Sequence, residues 1–212
     1  MMKNWVMALG LMALPVAVQA GELAVGDGIE LLVVDGKKVQ TSFWSETASV
    51  NLPAGKHQVV VRFDGELKDG AKSRIYTTRP YLFELDVPEQ DAEITLPRFS
   101  TMSQAKAYFQ RGPEWTLTFA DGTTRTLEAV ELHGKGLAAY SDMEALVADY
   151  NRQQGITFEE GYAVDLEATV VEVTEQGKVN ITGEALAQLK LWYTKADAKE
   201  KAAFAEWVKT QQ

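Results

Sequence analysis

The chain has no cysteine and only two histidines in 212 residues, and no long apolar run outside its first twenty positions. Without cysteine there is no disulfide, no thiol nucleophile and no thiolate metal site. In an oxidising compartment such a fold must stand on packing alone. His57 and His133 both sit beside turns, and neither belongs to a His-x-x-His or His-Glu-x-x-His pattern. The spacing of a histidine zinc site is therefore absent, and both read as surface or turn-packing residues. There is no Gly-x-Ser-x-Gly elbow, no phosphate loop and no dinucleotide fingerprint. Positive charge is also scarce, with 21 basic residues against 30 acidic ones and a net charge of −9. That balance argues against nucleic acid and against anionic membrane surfaces, and it suits a soluble exported chain.

What the sequence does have begins at its start. Lys3 precedes an apolar stretch from Trp5 to Val18, and Val18-Gln19-Ala20 places small residues at the last and third-last positions. This is the pattern of a secretory signal peptide over residues 1–20, cut between Ala20 and Gly21. The competing reading is a membrane anchor. The run is shorter than the ~20 apolar residues a spanning helix needs, and no stop-transfer pattern follows. With Gly21 rather than cysteine after the cut, no lipid attaches there. The expected mature chain, from Gly21 to Gln212, lies outside the cytoplasm with no membrane anchor.

The first half reads as short strands. Ile29 to Val34 is apolar, Asp35-Gly36 is a two-residue hairpin turn, and Lys37 to Gln40 returns. Ser49 to Leu52, Gln58 to Phe63, Ile75 to Thr78, Tyr81 to Val87 and Glu93 to Leu96 follow, with a turn at Pro53–Lys56 and a polar loop from Asp64 to Gly70. The spacing predicts an antiparallel sandwich or open barrel. Beyond Pro97 the pattern changes. Met102, Ala105 and Phe109 predict a helix stopped by Gly112-Pro113, and Trp115 to Phe119 and Thr124 to Leu132 predict a hairpin.

Ser141 and Glu144 frame a capping box before a helix carrying Met143, Leu146, Val147 and Tyr150 and ending at Gly155. Ala163 to Val173 alternates like a strand. The tail predicts a helical hairpin. Leu186, Leu189 and Tyr193 form the apolar face of its first helix, which Thr182 could cap. A second capping box, at Asp197 and Glu200, precedes Phe204, Trp207 and Val208. These helices are expected to pack on the sheet, since Trp192, Tyr193, Phe204 and Trp207 would otherwise lie exposed.

Carboxylates gather at Glu159, Glu160, Asp165, Glu167 and Glu172. Their alternation with apolar residues fits the wet face of a strand better than the paired acids of a glycosidase or a calcium loop. Aromatic residues give the candidate binding positions. Phe43 and Trp44 sit on a loop between strands, and Tyr81 follows Arg79-Pro80. Such residues can anchor a peptide or a sugar ring. The alternative is that they cap one end of the core. No residue is singled out as catalytic, cofactor-binding or metal-binding.

Two resemblances follow from particular stretches. Val33 to Lys37, followed by Val50-Asn51-Leu52-Pro53-Ala54-Gly55-Lys56-His57-Gln58-Val59-Val60-Val61, resembles a PEGA-type β module, a small non-catalytic sandwich of exported bacterial proteins. The chain as a whole resembles the YccT-like family of exported proteins of Gram-negative bacteria. The match is carried by the leader, Leu31 to Val39, Leu96-Pro97-Arg98, Asp121-Gly122 and Ala148-Asp149-Tyr150-Asn151. It is strongest in the tail residues Leu189-Lys190-Leu191-Trp192-Tyr193, Ala196-Asp197, Phe204 and Trp207. Gly155 to Thr182 departs most from the family pattern.

The resemblance implies a periplasmic, non-enzymatic binding protein with no cofactor. Its partner would be an exported protein client, and the family's one proposed role is restraint of curli amyloid assembly. The alternative is an envelope structural or glycan- and protein-binding module working through Phe43, Trp44 and Tyr81. The expected fold is α+β. It comprises the leader (1–20), an antiparallel PEGA- or Ig-like β-sandwich (21–98), and a mixed α/β region (99–212) that ends in the helical hairpin.

Overall fold

Residues Leu31 to Val34 are apolar without alternation because both faces of the sheet they enter are covered. The computed structural model describes residues 20–40, 48–136, 138–159, 162–166, 171–173, 179–181 and 185–211. The first strands are β1 (Ala20–Val25), β2 (Ile29–Val34), β3 (Lys37–Lys38), β4 (Ser49–Pro53) and β5 (Gly55–Asp69). β6 (Lys72–Thr77), β7 (Tyr81–Val87) and β8 (Ala92–Thr95) follow, and then helix α1 (Met102–Gln110). Next come β9 (Trp115–Phe119), β10 (Thr124–Leu127), β11 (Val130–Glu131) and α2 (Met143–Gln154). β12 (Ile156–Glu159) pairs with β13 (Tyr162–Asp165), and β14 (Val171–Val173) with β15 (Val179–Ile181). The chain closes with α3 (Ala185–Lys195) and α4 (Ala198–Thr210). The fold is α+β, with four helices among the described residues, mostly antiparallel sheets and a C-terminal helical pair.

Two larger sheets share one core. The first runs β10-β9-β8-β1-β4 and the second β11-β7-β5-β2-β3, with β6 paired to the outer part of β5. Leu23 and Ile94 from the first sheet meet Val59, Val61, Phe83 and Leu85 from the second, around Trp115 and Leu117. Alternate residues of β5 and β7 point the other way. Val60 and Leu82 join Leu32 and Val33 beneath Met143 and Val147 of α2. A register shift between Leu31 and Val33 turns two successive residues, Leu32 and Val33, toward that helix. This is why the β2 run reads as continuously apolar.

The structure corrects several expectations. β1 pairs parallel with β8, so the sheets are not wholly antiparallel. The sheets do not stop at residue 98, because β9 pairs with β8 and β11 with β7. The expected strand from Thr124 to Leu132 is split, and its two parts serve different sheets. The expected loop from Asp64 to Gly70 is instead the outer arm of β5, zipped to β6 from Asp64↔Thr77 to Asp69↔Lys72. Ala163 to Val173 contributes to two separate strand pairs rather than one strand.

The helix termini follow local chemistry. Asp35 (φ 49°) and Gly36 (φ 73°) form the β2–β3 turn, where both central residues need the left-handed region. The cap of α2 is Asp142, one residue later than expected, and its carboxylate accepts from Ala145 N–H at 2.9 Å. Glu144, freed from a capping box, accepts from the backbone N–H of Lys38 at 2.6 Å and so covers the edge of β3. Gly155 ends α2 with φ 74°, as its position implied. The Asp197–Glu200 capping box of α4 is present in both directions. Thr182 lies outside the described residues.

Candidate functional site

Tyr81 lies inside the core. It is 4% exposed, with its ring 5.3 Å from Trp115 and 6.2 Å from Phe109. Its place on β7 turns it into the shared core, which is the capping alternative. Burial, with smaller contributions from Glu131 and Tyr76 against Arg79, pushes its phenol from 10.0 up to about 12. The folded chain therefore keeps a proton that the unfolded chain loses, and stability is expected to fall as pH rises from about 10 to 12. Melting curves across that window check this, and Tyr81→Phe should flatten the decline. Phe43 and Trp44 lie outside the described residues. Ala20 and Gly21 open β1 opposite Pro53 and Leu52.

His57 is buried, not superficial. Its Nδ1 lies 2.7 Å from the Asp35 carboxylate and its Nε2 2.8 Å from the Pro53 carbonyl. Each ring nitrogen thus faces an acceptor oxygen. Asp35 also accepts from Gln58 N–H at 2.9 Å, so this group stitches the β2–β3 turn to β5. It is closed off by its own hydrogen bonds and offers nothing to a substrate. His133 is exposed. Of the acidic cluster, only the Asp165 side chain is described, and it faces solvent. No group of three His, Cys, Asp or Glu residues is placed to hold a metal ion among the described residues.

Three surface features remain. One is a cleft of about 630 Å³ between the β1–β2 turn, the outer arm of β5 and the segment from Thr95 to Ser100. Its floor is the Phe63 ring, which lies against Gly28 and Gly65. A Cβ at either glycine would come within 3.0 Å of that ring. A second cleft, of about 650 Å³, lies between the β2–β3 turn, α2, β12 and the C-terminal helices, and Lys37, Asp149, Arg152, Phe158, Tyr193 and Lys201 line it. Both mix charges of opposite sign and contain no nucleophile–base pair.

The third feature is the outer surface of α3 and α4. Trp192 (57%) and Trp207 (56%) are exposed, as are Leu186, Leu189, Tyr193 and Phe204. This overturns the expectation that these residues pack on the sheet. α3 is held by its packing beside α2 and by a small apolar contact in which Leu191 and Ala187 meet Leu166 and Val164. Across the two helices the aromatic rings are continuous. Tyr193 and Phe204 are 6.2 Å apart, Phe204 stacks on Trp207 at 5.7 Å, and the Lys201 ammonium sits 5.2 Å above the Tyr193 ring. The spacing of Leu186, Leu189 and Tyr193 signalled an apolar face correctly, but periodicity does not say what lies opposite it.

The outer edges of the sheets are a further surface. Among the described residues, β6 has β5 on one side and no strand on the other. Ile75 on this strand is 70% exposed, and the basic residues Lys72 and Arg74 precede it. No described helix is long and apolar enough to cross a membrane.

The chain matches, over residues 22–207, the model of the family described as an uncharacterized protein conserved in bacteria, DUF2057. Among similar curated proteins is a UPF0319 protein of Vibrio vulnificus strain CMCP6, 26% identical over 208 residues, covering 98% of this chain and 99% of that protein. A UPF0319 protein of Actinobacillus succinogenes is 29% identical over 200 residues, covering 91% of this chain and 90% of its own. One from Vibrio cholerae is 27% identical over 193 residues, with 89% of each chain covered. No solved structure matches. With its two shared-core sheets and exposed helical tail, the chain belongs to the DUF2057/UPF0319 family of bacterial proteins.

Proposed function

We propose that the protein is an exported, non-enzymatic binding protein of the Gram-negative periplasm, released by cleavage between Ala20 and Gly21, which holds a β-rich client by strand addition. The observation that carries this reading is β6. It is a six-residue strand on an arm projecting past the two-sheet core, with one edge unpaired among the described residues and Ile75 bare to solvent. A client strand laid along that edge gains main-chain hydrogen bonds and an apolar contact, and once so paired it cannot template the next layer of a cross-β stack. The resemblance to YccT-like proteins supplies the client class, amyloid-forming curli subunits. The two sheets around one core support the reading of the N-terminal part as a PEGA-like module.

Lys72 and Arg74 precede Ile75 on the same strand, and basic residues on an edge discourage pairing between two copies of this chain while leaving a less basic client admissible. The test is fibril growth of a curli subunit followed by thioflavin fluorescence. Equimolar protein should extend the lag severalfold, and Ile75→Lys should remove most of that extension. An unchanged lag with the unaltered protein rejects the proposal.

A further inference from the structure

The net charge of the chain conceals a local reversal. Residues 185–211 hold five lysines (Lys190, Lys195, Lys199, Lys201 and Lys209) against Asp197, Glu200 and Glu206, a net of +2. The whole chain is −9, so the remainder carries −11. The only basic stretch of this size among the described helices is thus the one presenting the exposed rings. We infer that the α3–α4 pair seats the protein on an anionic phospholipid surface, with Trp192, Tyr193, Phe204 and Trp207 entering the headgroup layer.

Three observations converge on this occupant. The ring contacts from Tyr193 through Phe204 to Trp207 make a single apolar face across both helices. Such a face, large in Trp, Tyr, Phe and Leu and flanked by lysine, has the chemistry of a helix lying in the interface plane. Tryptophan and tyrosine prefer that depth because one part of the ring system is apolar and another polar. Lysine stems can lie along the face while their ammonium groups reach lipid phosphates. Finally, the pair is joined to the body through the Leu191–Leu166 contact and beside α2, and Leu186, Leu189, Trp192, Phe204 and Trp207 stay exposed.

The charge also argues against a second copy docking symmetrically on this face, since two lysine-bearing surfaces would oppose one another. The acidic remainder sets the orientation, because repulsion from the same lipid surface holds the two sheets away from it. An all-acidic chain would avoid such a surface, whereas this distribution touches it at one end.

The test uses the mature chain from Gly21 to Gln212 and vesicles of phosphatidylcholine with and without phosphatidylglycerol. Sedimentation with the phosphatidylglycerol vesicles is expected, together with a blue shift of tryptophan emission and weakening by salt. Trp192→Ser/Trp207→Ser should reduce partitioning at least about tenfold. Lys199→Glu/Lys201→Glu should also reduce it at least about tenfold, by reversing two of the charges drawn to such a surface. All four positions are exposed or half-buried on the helices, so circular dichroism should be unchanged.

Equal binding to pure phosphatidylcholine, no binding to either vesicle, or full binding by both variants overturns the inference. So does concentration-dependent dimerisation, without vesicle binding, that the tryptophan variant abolishes. Ile75→Lys should leave vesicle binding intact, so failure of strand capture and failure of lipid seating are separate results.

Discussion

Trp115→Ala should destabilise the protein by about 3–5 kcal/mol in urea unfolding, the range for deleting a large aromatic from a closed core. Trp115 is the largest fully buried side chain and lies where the two sheets meet, with its ring 5.3 Å from Tyr81, 5.5 Å from Phe83 and 6.3 Å from Phe109. These neighbours come from β7 and α1, so no single element can collapse into the void. Its indole Nε1 is buried without a protein hydrogen-bond partner among the described residues. An unsatisfied buried donor costs about 1–3 kcal/mol, so Trp115→Phe, which removes that donor and keeps most of the ring, should cost far less than the alanine variant. If phenylalanine and alanine were equally damaging, the ring's packing would not be what Trp115 contributes.

The second large effect concerns the polar contact beneath α2. Gln58 on β5 and Asn151 on α2 are both buried and bonded reciprocally. Gln58 Nε2 donates to Asn151 Oδ1 at 2.6 Å, and Asn151 Nδ2 donates to Gln58 Oε1 at 2.9 Å. The pair fixes the rotation and height of α2 on an otherwise apolar contact. Asn151→Leu leaves the Gln58 amide facing hydrocarbon and is expected to cost about 2–4 kcal/mol. The Gln58→Leu/Asn151→Leu double variant should recover most of that, because no polar group is then stranded. A double-mutant cycle by chemical denaturation decides the matter, and simple additivity of the two single changes would refute the pairing.

How far the sequence disclosed this architecture depended on whether a local rule was enough. Asp35-Gly36 was legible because a two-residue hairpin turn demands positive φ at both positions, and few residue pairs supply it. The Asp197–Glu200 box was legible because its hydrogen bonds close within four residues. The arm of β5 was not. Its inward positions are Phe63, Gly65 and Leu67, and the Phe63 ring leaves no room for a Cβ at Gly65. The apolar alternation therefore has a gap where the structure is continuous.

Between the two readings of Tyr81 nothing local decides, because its burial depends on β9 and α1, residues far along the chain. Asn151 appeared only as part of a family pattern. Nothing local announces that a helix residue will meet Gln58 across 93 positions. The aromatic tail was recognised as an apolar face, but its outward orientation is decided by the small Leu166–Leu191 contact, which no periodicity reveals.

The position of β1 has a consequence for the order in which the molecule is built. The first strand is a central strand, flanked by β4 and β8, and the sheet is then extended by β9. Its parallel neighbour does not exist until residue 95 has been made, and the tryptophan that fills the core comes twenty residues later. Pairings so distant along the chain form slowly. The antiparallel flank of β1 is available once residue 53 has been made, whereas its parallel flank waits for residue 95 and the core tryptophan for residue 115. A chain whose central sheet cannot be completed early stays open for longer as it is made.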